Sequence, residues 1–263
     1  MRIVSLCPSL TELVFDLGRG ADLVGITRWC VHPAAGVAEI EKVGGTKDPD
    51  LERILALRPD LVLLNEEENR SEDARALAAS GVRYHASMPR SPEETAAMVR
   101  SIAAALDSKE AGTKIAAEIE ARSARVRRQA AGAPPVRFAY LVWRKPWMSV
   151  NADTFAHSLL AQAGGINLFA DRKERYPEIE ARDLTAGRAD LVLLSTEPFP
   201  FRRRHVEELA RETGLPGESF AIADGELLSW HGSRTPDGID YAASLIAAAR
   251  DRDRPPDPST RAA

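Results

Sequence analysis

A phrase that occurs twice constrains the fold more than anything else in this chain. Leu57-Arg58-Pro59-Asp60-Leu61-Val62-Leu63-Leu64 is answered by Gly187-Arg188-Ala189-Asp190-Leu191-Val192-Leu193-Leu194. Each phrase ends in four consecutive apolar residues, without the alternation of a half-exposed strand. A strand that is apolar at every position needs cover on both faces, the environment of a parallel sheet flanked by helices. Parallel neighbours in turn need crossover connections, usually helical. Two such strands in a chain of 263 residues imply two lobes, each long enough to bury a core.

The flanking segments fit this plan. In the first lobe, strands are predicted over 3–6, 23–26, 61–64 and 82–85, and helices over 51–57 and 71–80. Ser9-Leu10-Thr11-Glu12 reads as a capping box, with Ser9 as the N-cap and Glu12 reaching back to its amide, and this helix is predicted to end near Gly18. A helical region runs from about Pro92 to about Ala130, and Asp107-Ser108 is positioned to split it in two. After Gly132-Ala133-Pro134-Pro135 the pattern restarts, with strands over 136–142, 191–194 and 220–223 and helices over 154–163, 205–212 and 239–250. The predicted organisation is an N-terminal α/β lobe over 1–105, a connecting helix over 106–133, a C-terminal α/β lobe over 134–250 and a disordered tail over 251–263.

Composition narrows the function. With 44% hydrophobic and 28% charged residues the balance is that of a globular chain, and a net charge of -4 argues against a nucleic-acid partner. No apolar run approaches the roughly 18 residues of a spanning helix, so membrane insertion is not expected. Met1 runs directly into the first strand without the basic, apolar and small-residue stretches of a secretory signal. The expectation is a cytoplasmic chain, or a periplasmic one if a leader has been removed. Cys7 and Cys30 either form one disulfide or remain thiols in a reducing compartment.

Several phrases then resemble a known family. Arg2-Ile3-Val4-Ser5-Leu6 with the following Ser9–Leu13, Val24-Gly25-Ile26-Thr27, Leu51-Glu52-Arg53-Ile54 and Arg58-Pro59-Asp60-Leu61-Val62 are similar to the helical-backbone (class III) substrate-binding proteins of vitamin B12, haem and ferric-siderophore ABC importers. The vitamin B12-binding members are most alike, and the chain looks like a leaderless cytoplasmic branch of them. The resemblance implies two Rossmann-like α/β lobes with parallel sheets, joined by a long rigid helix. It also implies a monomer without an intrinsic cofactor and with a small-molecule metal chelate in the inter-lobe cleft. An ABC permease is the implied partner, docked through one surface acid per lobe; Glu52 is the first, and Arg182-Asp183 marks the region of the second.

Ligands of open α/β lobes bind beyond the carboxyl ends of the strands. That rule selects Cys7-Pro8-Ser9, Trp29–His32, Asn65–Asn69, Trp143–Met148, Glu197–Phe201 and Trp230–Arg234, and all four tryptophans fall in these loops. The expected ligand contacts are Trp29, Cys30, His32, Glu68, Asn69, Trp143, Trp147, Met148, Phe199, Phe201, Trp230, His231 and Arg234. Cys30 and His32, two apart in one loop, can both reach a soft or borderline metal, and His231 is a second axial candidate from the opposite lobe. Glu68 and Asn69 would hydrogen-bond corrinoid amides, and Arg234 a carboxylate or phosphate. No phosphate loop, nucleophile elbow or H-E-x-x-H motif is present. The expected function is non-enzymatic binding of a cobalamin-like corrinoid. The alternatives are haem or a ferric siderophore in the same cleft, and a metal-dependent enzyme or ligand sensor.

Overall fold

A computed structural model describes residues 1–252. The first α/β series is β1 (Ile3–Ser5), α1 (Pro8–Asp16), β2 (Leu23–Ile26), α2 (Ala34–Val37), α3 (Leu51–Ala56), β3 (Leu61–Asn65), α4 (Ser71–Ala79), β4 (Tyr84–Ser87), α5 (Pro92–Ala105) and α6 (Lys109–Ala130). The second is β5 (Val136–Leu141), β6 (Trp147–Met148), α7 (Phe155–Gln162), β7 (Gly165–Asn167), β8 (Glu178–Ile179), α8 (Ala181–Ala186), β9 (Leu191–Ser195), α9 (Arg203–Thr213), β10 (Phe220–Ala223), α10 (Gly225–Ser229) and α11 (Thr235–Arg252). Each series forms a four-stranded parallel sheet, ordered β2-β1-β3-β4 in the first and β7-β5-β9-β10 in the second. The two orders are the same order.

The repeated phrase turns out to be one structural device used twice. Arg58 and Arg188, at equivalent positions, adopt left-handed backbone with φ of 47° and 52°. The carboxylates that follow clamp the first strand of each sheet: Asp60 accepts from the Arg2 amide at 2.6 Å, and Asp190 from the Arg137 amide at 2.7 Å. The amides of Asp60 and Asp190 in turn donate to the Arg2 and Arg137 carbonyls, at 2.8 and 2.9 Å. Beyond the clamp every residue of β3 and β9 is buried. Alternation sends Val62 and Leu64 into a core with Val4, Leu6, Ile54 and Leu77, and Leu61 and Leu63 to the opposite face. Each such side chain contributes on the order of 1.5–3 kcal/mol through burial.

By contacts the chain falls into two compact units. Among the described residues, the first is Met1–Ala121 together with Trp230–Pro236; the second is Arg122–Ser229 together with 237–252. The division falls inside α6 rather than at its ends. Within the second unit α6 is tied to α11 by Arg122, which donates to Asp237 at 2.7 Å and Asp240 at 2.9 Å. The return of Trp230–Pro236 to the first unit departs from the expected 134–250 lobe.

The break at Asp107-Ser108 is present, with Asp107 in left-handed backbone at φ 54°. The capping box at Ser9 is not. Cys7 is the N-cap of α1, Pro8 holds the first helical position, and Ser9 lies inside the helix. Glu12 turns away from the helix start because Arg234 captures its carboxylate at 2.5 Å. The strand expected over 82–85 forms two residues later, as Tyr84–Ser87. Of the tail expected to be disordered, Asp251 and Arg252 end α11, and 253–263 lie outside the described residues.

Candidate functional site

In the first unit the loops beyond β1, β2 and β3 rest on a buried polar floor. The Thr11 hydroxyl lies 2.9 Å from Ser5 Oγ, 3.1 Å from the Cys7 carbonyl and 3.0 Å from Cys30 Sγ, and Thr27 Oγ1 is 3.1 Å from the same sulfur. Both cysteines are buried free thiols. Burial pushes the Cys7 thiol up to about 12 and raises that of Cys30, against hydrogen bonds that oppose the shift. Above this floor Asn65, at the end of β3, caps the amides of Glu67 and Glu68, each at 3.0 Å. Its amide nitrogen reaches the Ser87 carbonyl at 3.0 Å and His231 Nε2 at 3.1 Å. Beside it the Trp230 ring meets His32 edge-on at 5.7 Å and carries the Arg234 guanidinium 5.0 Å above its centre. Trp29 stands 58% exposed. Although Glu68 as a whole is exposed, loss of water around its carboxylate raises its pKa, and the nearby Lys47 charge opposes that shift.

The second unit builds its loops from rings. The chain leaves β5 in a tight reversal, with the Val142 amide on the Met148 carbonyl and the Met148 amide on the Trp143 carbonyl, both at 3.0 Å. This brings Trp143 edge-on to Phe199 at 5.7 Å and stacks Trp147 on Phe201 at 6.0 Å. Phe199 and Phe201 are 4.7 Å apart, and His205 packs against both. Arg144 lies over Trp147 and pairs with Glu208. Burial, and then the charges of Arg204 and Arg144, lower the His205 pKa, so this ring is neutral at neutral pH. Trp143 keeps 42% of its surface exposed. The X-Pro bonds at His32-Pro33, Lys145-Pro146 and Glu197-Pro198 are cis, and each lies at one of these loops.

Residues 3–218 match the family described as periplasmic binding protein. The chain belongs to that family. A vitamin B12-binding protein of Vibrio cholerae serotype O1 is 26% identical over 249 residues, covering 95% of this chain and 90% of the relative. The solved structure of the periplasmic vitamin B12 binding protein BtuF of Vibrio cholerae superposes with a TM-score of 0.82 at 22% identity, over 96% of this chain and 98% of that one. The apo periplasmic haem-binding protein RhuT of Roseiflexus sp. RS-1 gives 0.81 at 26% identity, over 96% and 99%. The family is one of ligand-binding proteins, and this member binds rather than catalyses. Among the described residues no helix is long and apolar enough to cross a membrane.

The predicted site residues of this chain separate into three groups. Trp29, His32 and Trp230 in the first unit, and Trp143, Trp147, Met148 and Phe199 in the second, are at least partly accessible at strand-end loops. Glu68 is also accessible, beside Lys47. A second group is consumed by the protein itself. Asn69 is buried, donates to the Leu6 and Thr46 carbonyls at 3.0 and 2.9 Å, and accepts from the Asn65 amide at 2.8 Å. Its amide therefore holds three chain segments together and is not turned to a corrinoid. Phe201, 3% exposed, is core beneath Trp147.

The third group concerns the metal. Cys30 is 2% exposed and held as a neutral thiol, whereas ligation needs an accessible thiolate. His231 belongs to the same unit as His32, not the opposite one. Arg234 is engaged by Glu12 and Trp230 rather than offered to an anion. No cluster of three or more His, Cys, Asp and Glu capable of holding a metal occurs among the described residues. Asn65, which organises the first unit's face, lies in the Asn65–Asn69 loop that the strand-end rule selects but is not among the expected contacts; its place at the end of an all-apolar strand is the signal that marks it.

Proposed function

We propose that this chain binds a corrinoid, in the manner its vitamin B12-binding relatives' names describe, through strand-end loops that leave large rings open to water. The observation that carries the proposal is the exposure of Trp29 and Trp143 beyond β2 and β5, on loops already braced by Trp230 and by the Trp147, Phe199 and Phe201 rings. Large rings left open to water present flat apolar surface of the kind a macrocycle covers. Glu68 is the first unit's candidate for a corrinoid amide.

A second reading, haem, is favoured by Arg144. Its Nε is buried without a hydrogen-bond partner, beside Trp147, and Arg202, Arg203 and Arg204 are exposed at the start of α9, where the Arg204 and Arg144 charges act on the same His205 ring. Those donors suit the carboxylates of a porphyrin. Glu52, exposed in the first turn of α3, is the proposed permease contact. At the equivalent position of α8 stands Arg182, already paired with Glu180.

Titration with hydroxocobalamin and with haemin, followed by visible absorption and calorimetry, tests the proposal. A band shift and saturable heat with the corrinoid alone support the first reading, and with haemin alone the second. Absence of both removes the macrocycle from consideration.

A further inference from the structure

The orientation of the Asn65 amide is fixed by the backbone. Its Oδ1 accepts from the Glu67 and Glu68 amides, while its Nδ2 faces the Ser87 carbonyl at 3.0 Å. Turned over, the side chain would set NH2 against two N–H groups and oxygen against a carbonyl oxygen. The same Nδ2 lies 3.1 Å from His231 Nε2. An amide nitrogen only donates, so Nε2 is the acceptor and the proton of the buried imidazole sits on Nδ1.

We propose that Asn65 is a positioning residue for ligand binding, acting through His231: it holds the imidazole as the neutral Nδ1–H tautomer and thereby seats Trp230–Pro236 on the loop face of the first unit. The seat has further attachments. Arg234 binds Glu12 and Gly232 at φ 123° lies against Ser9 and Leu13, while within the segment the Gly232 amide donates to Thr235 Oγ1 at 3.1 Å. What the seat presents is Trp230, against His32. His231 Nε2, turned into the protein, is thereby withdrawn from the metal, so its role is to place an aromatic wall. The inference rests on the proposed binding function only for the importance of that wall; the tautomer stands without it.

Long-range proton–nitrogen NMR of the ligand-free full chain reads the tautomer, with His231→Gln identifying the resonance. The expected result is a protonated Nδ1 and a bare Nε2 for His231; a protonated Nε2 overturns the proposal. No ligand enters that measurement, so it still decides if neither macrocycle binds. In the second arm, His231→Gln carries an acceptor out to the Nε2 position, whereas the shorter side chain of His231→Asn reaches only as far as Nδ1. With hydroxocobalamin or haemin as probe, whichever the wild type binds, His231→Gln should stay within about twofold of wild type and His231→Asn should lose about tenfold. Equal losses in folded variants, or loss of the bound-state spectrum in His231→Gln alone, would overturn the positioning role.

Discussion

The loop faces of the two units begin from one strand order and arrive at opposite chemistry. In the first, the third-strand residue beyond the repeated phrase is Asn65; in the second it is Ser195. An asparagine in that place can cap two amides and still donate twice, so it anchors its own loop and a distant segment together. A serine has one proton to give. Ser195 passes it to the Glu197 carbonyl at 2.5 Å and accepts from the buried Tyr140 hydroxyl at 2.8 Å, so its reach is local. The space beyond is filled by Trp143, Trp147, Phe199 and Phe201, which hold one another by ring packing. With the backbone frame in common, the difference shows how one strand-end side chain decides between a polar hub and an aromatic box.

The sharpest way to break this contrast is to remove the ring that the aromatic box depends on. Phe201→Ala should cost about 3–5 kcal/mol of stability in denaturant unfolding, since the ring is buried and its space cannot be refilled. A loss below about 1 kcal/mol would mean that the box is surface decoration rather than core. Trp143→Ala should do the reverse, leaving the unfolding midpoint in place while weakening macrocycle binding by about 2 kcal/mol, or roughly thirtyfold. Calorimetry on the folded variant reads this directly, and unchanged affinity would remove Trp143 from the site.

The features held in common can be tested against the features that differ. Asp190→Asn should lose about 1 kcal/mol, because the carboxylate serves the Arg137 amide and guanidinium together. Asp60→Asn should lose less, since that clamp is exposed and holds only the Arg2 amide. An inverted order in urea titrations would show that the repeated phrase does not stabilise the two sheets in the same way.

The smallest expected effect concerns pH. Asn167 repeats the amide–imidazole pairing in the second unit: its Oδ1 accepts from the Phe169 amide, and its Nδ2 serves the Val150 carbonyl and His157 Nδ1. Burial lowers the His157 pKa, so the unfolded chain takes up this proton first. Stability should hold above the ordinary histidine range, near pH 6.5, and decline as pH falls through it toward the lowered folded value. His157→Asn, which retains an acceptor, should flatten that part of the profile; an identical profile would assign it to other groups.

Much of the frame was legible because its signals are local. Four-residue apolar runs announced β3 and β9, the repeated phrase announced two lobes, and Asp107-Ser108 announced the break between α5 and α6. What stayed hidden depends on partners far apart in sequence. Ser9 and Glu12 have the spacing of a capping box, yet Pro8 already begins the helix and Arg234 outcompetes the cap for the carboxylate. Asn69 and Cys30 sit in the expected loops, but nothing in their neighbours reveals that Leu6, Thr46, Thr11 and Thr27 surround them. The aromatic loops were found by the strand-end rule; which rings face water and which are floor is a matter of packing that spacing does not encode.

The seating of Trp230–Pro236 on the first unit also sets a timetable. A ribosome delivers Met1–Ala121 well ahead of Trp230, and at about 5–20 residues per second the interval lasts several seconds or more. During that interval the first sheet can be complete while Asn65 and Glu12 await His231 and Arg234. The half of the molecule made first is therefore completed only after most of the other half has been made, and a nascent chain interrupted before Trp230 would carry a folded sheet with an unfinished face.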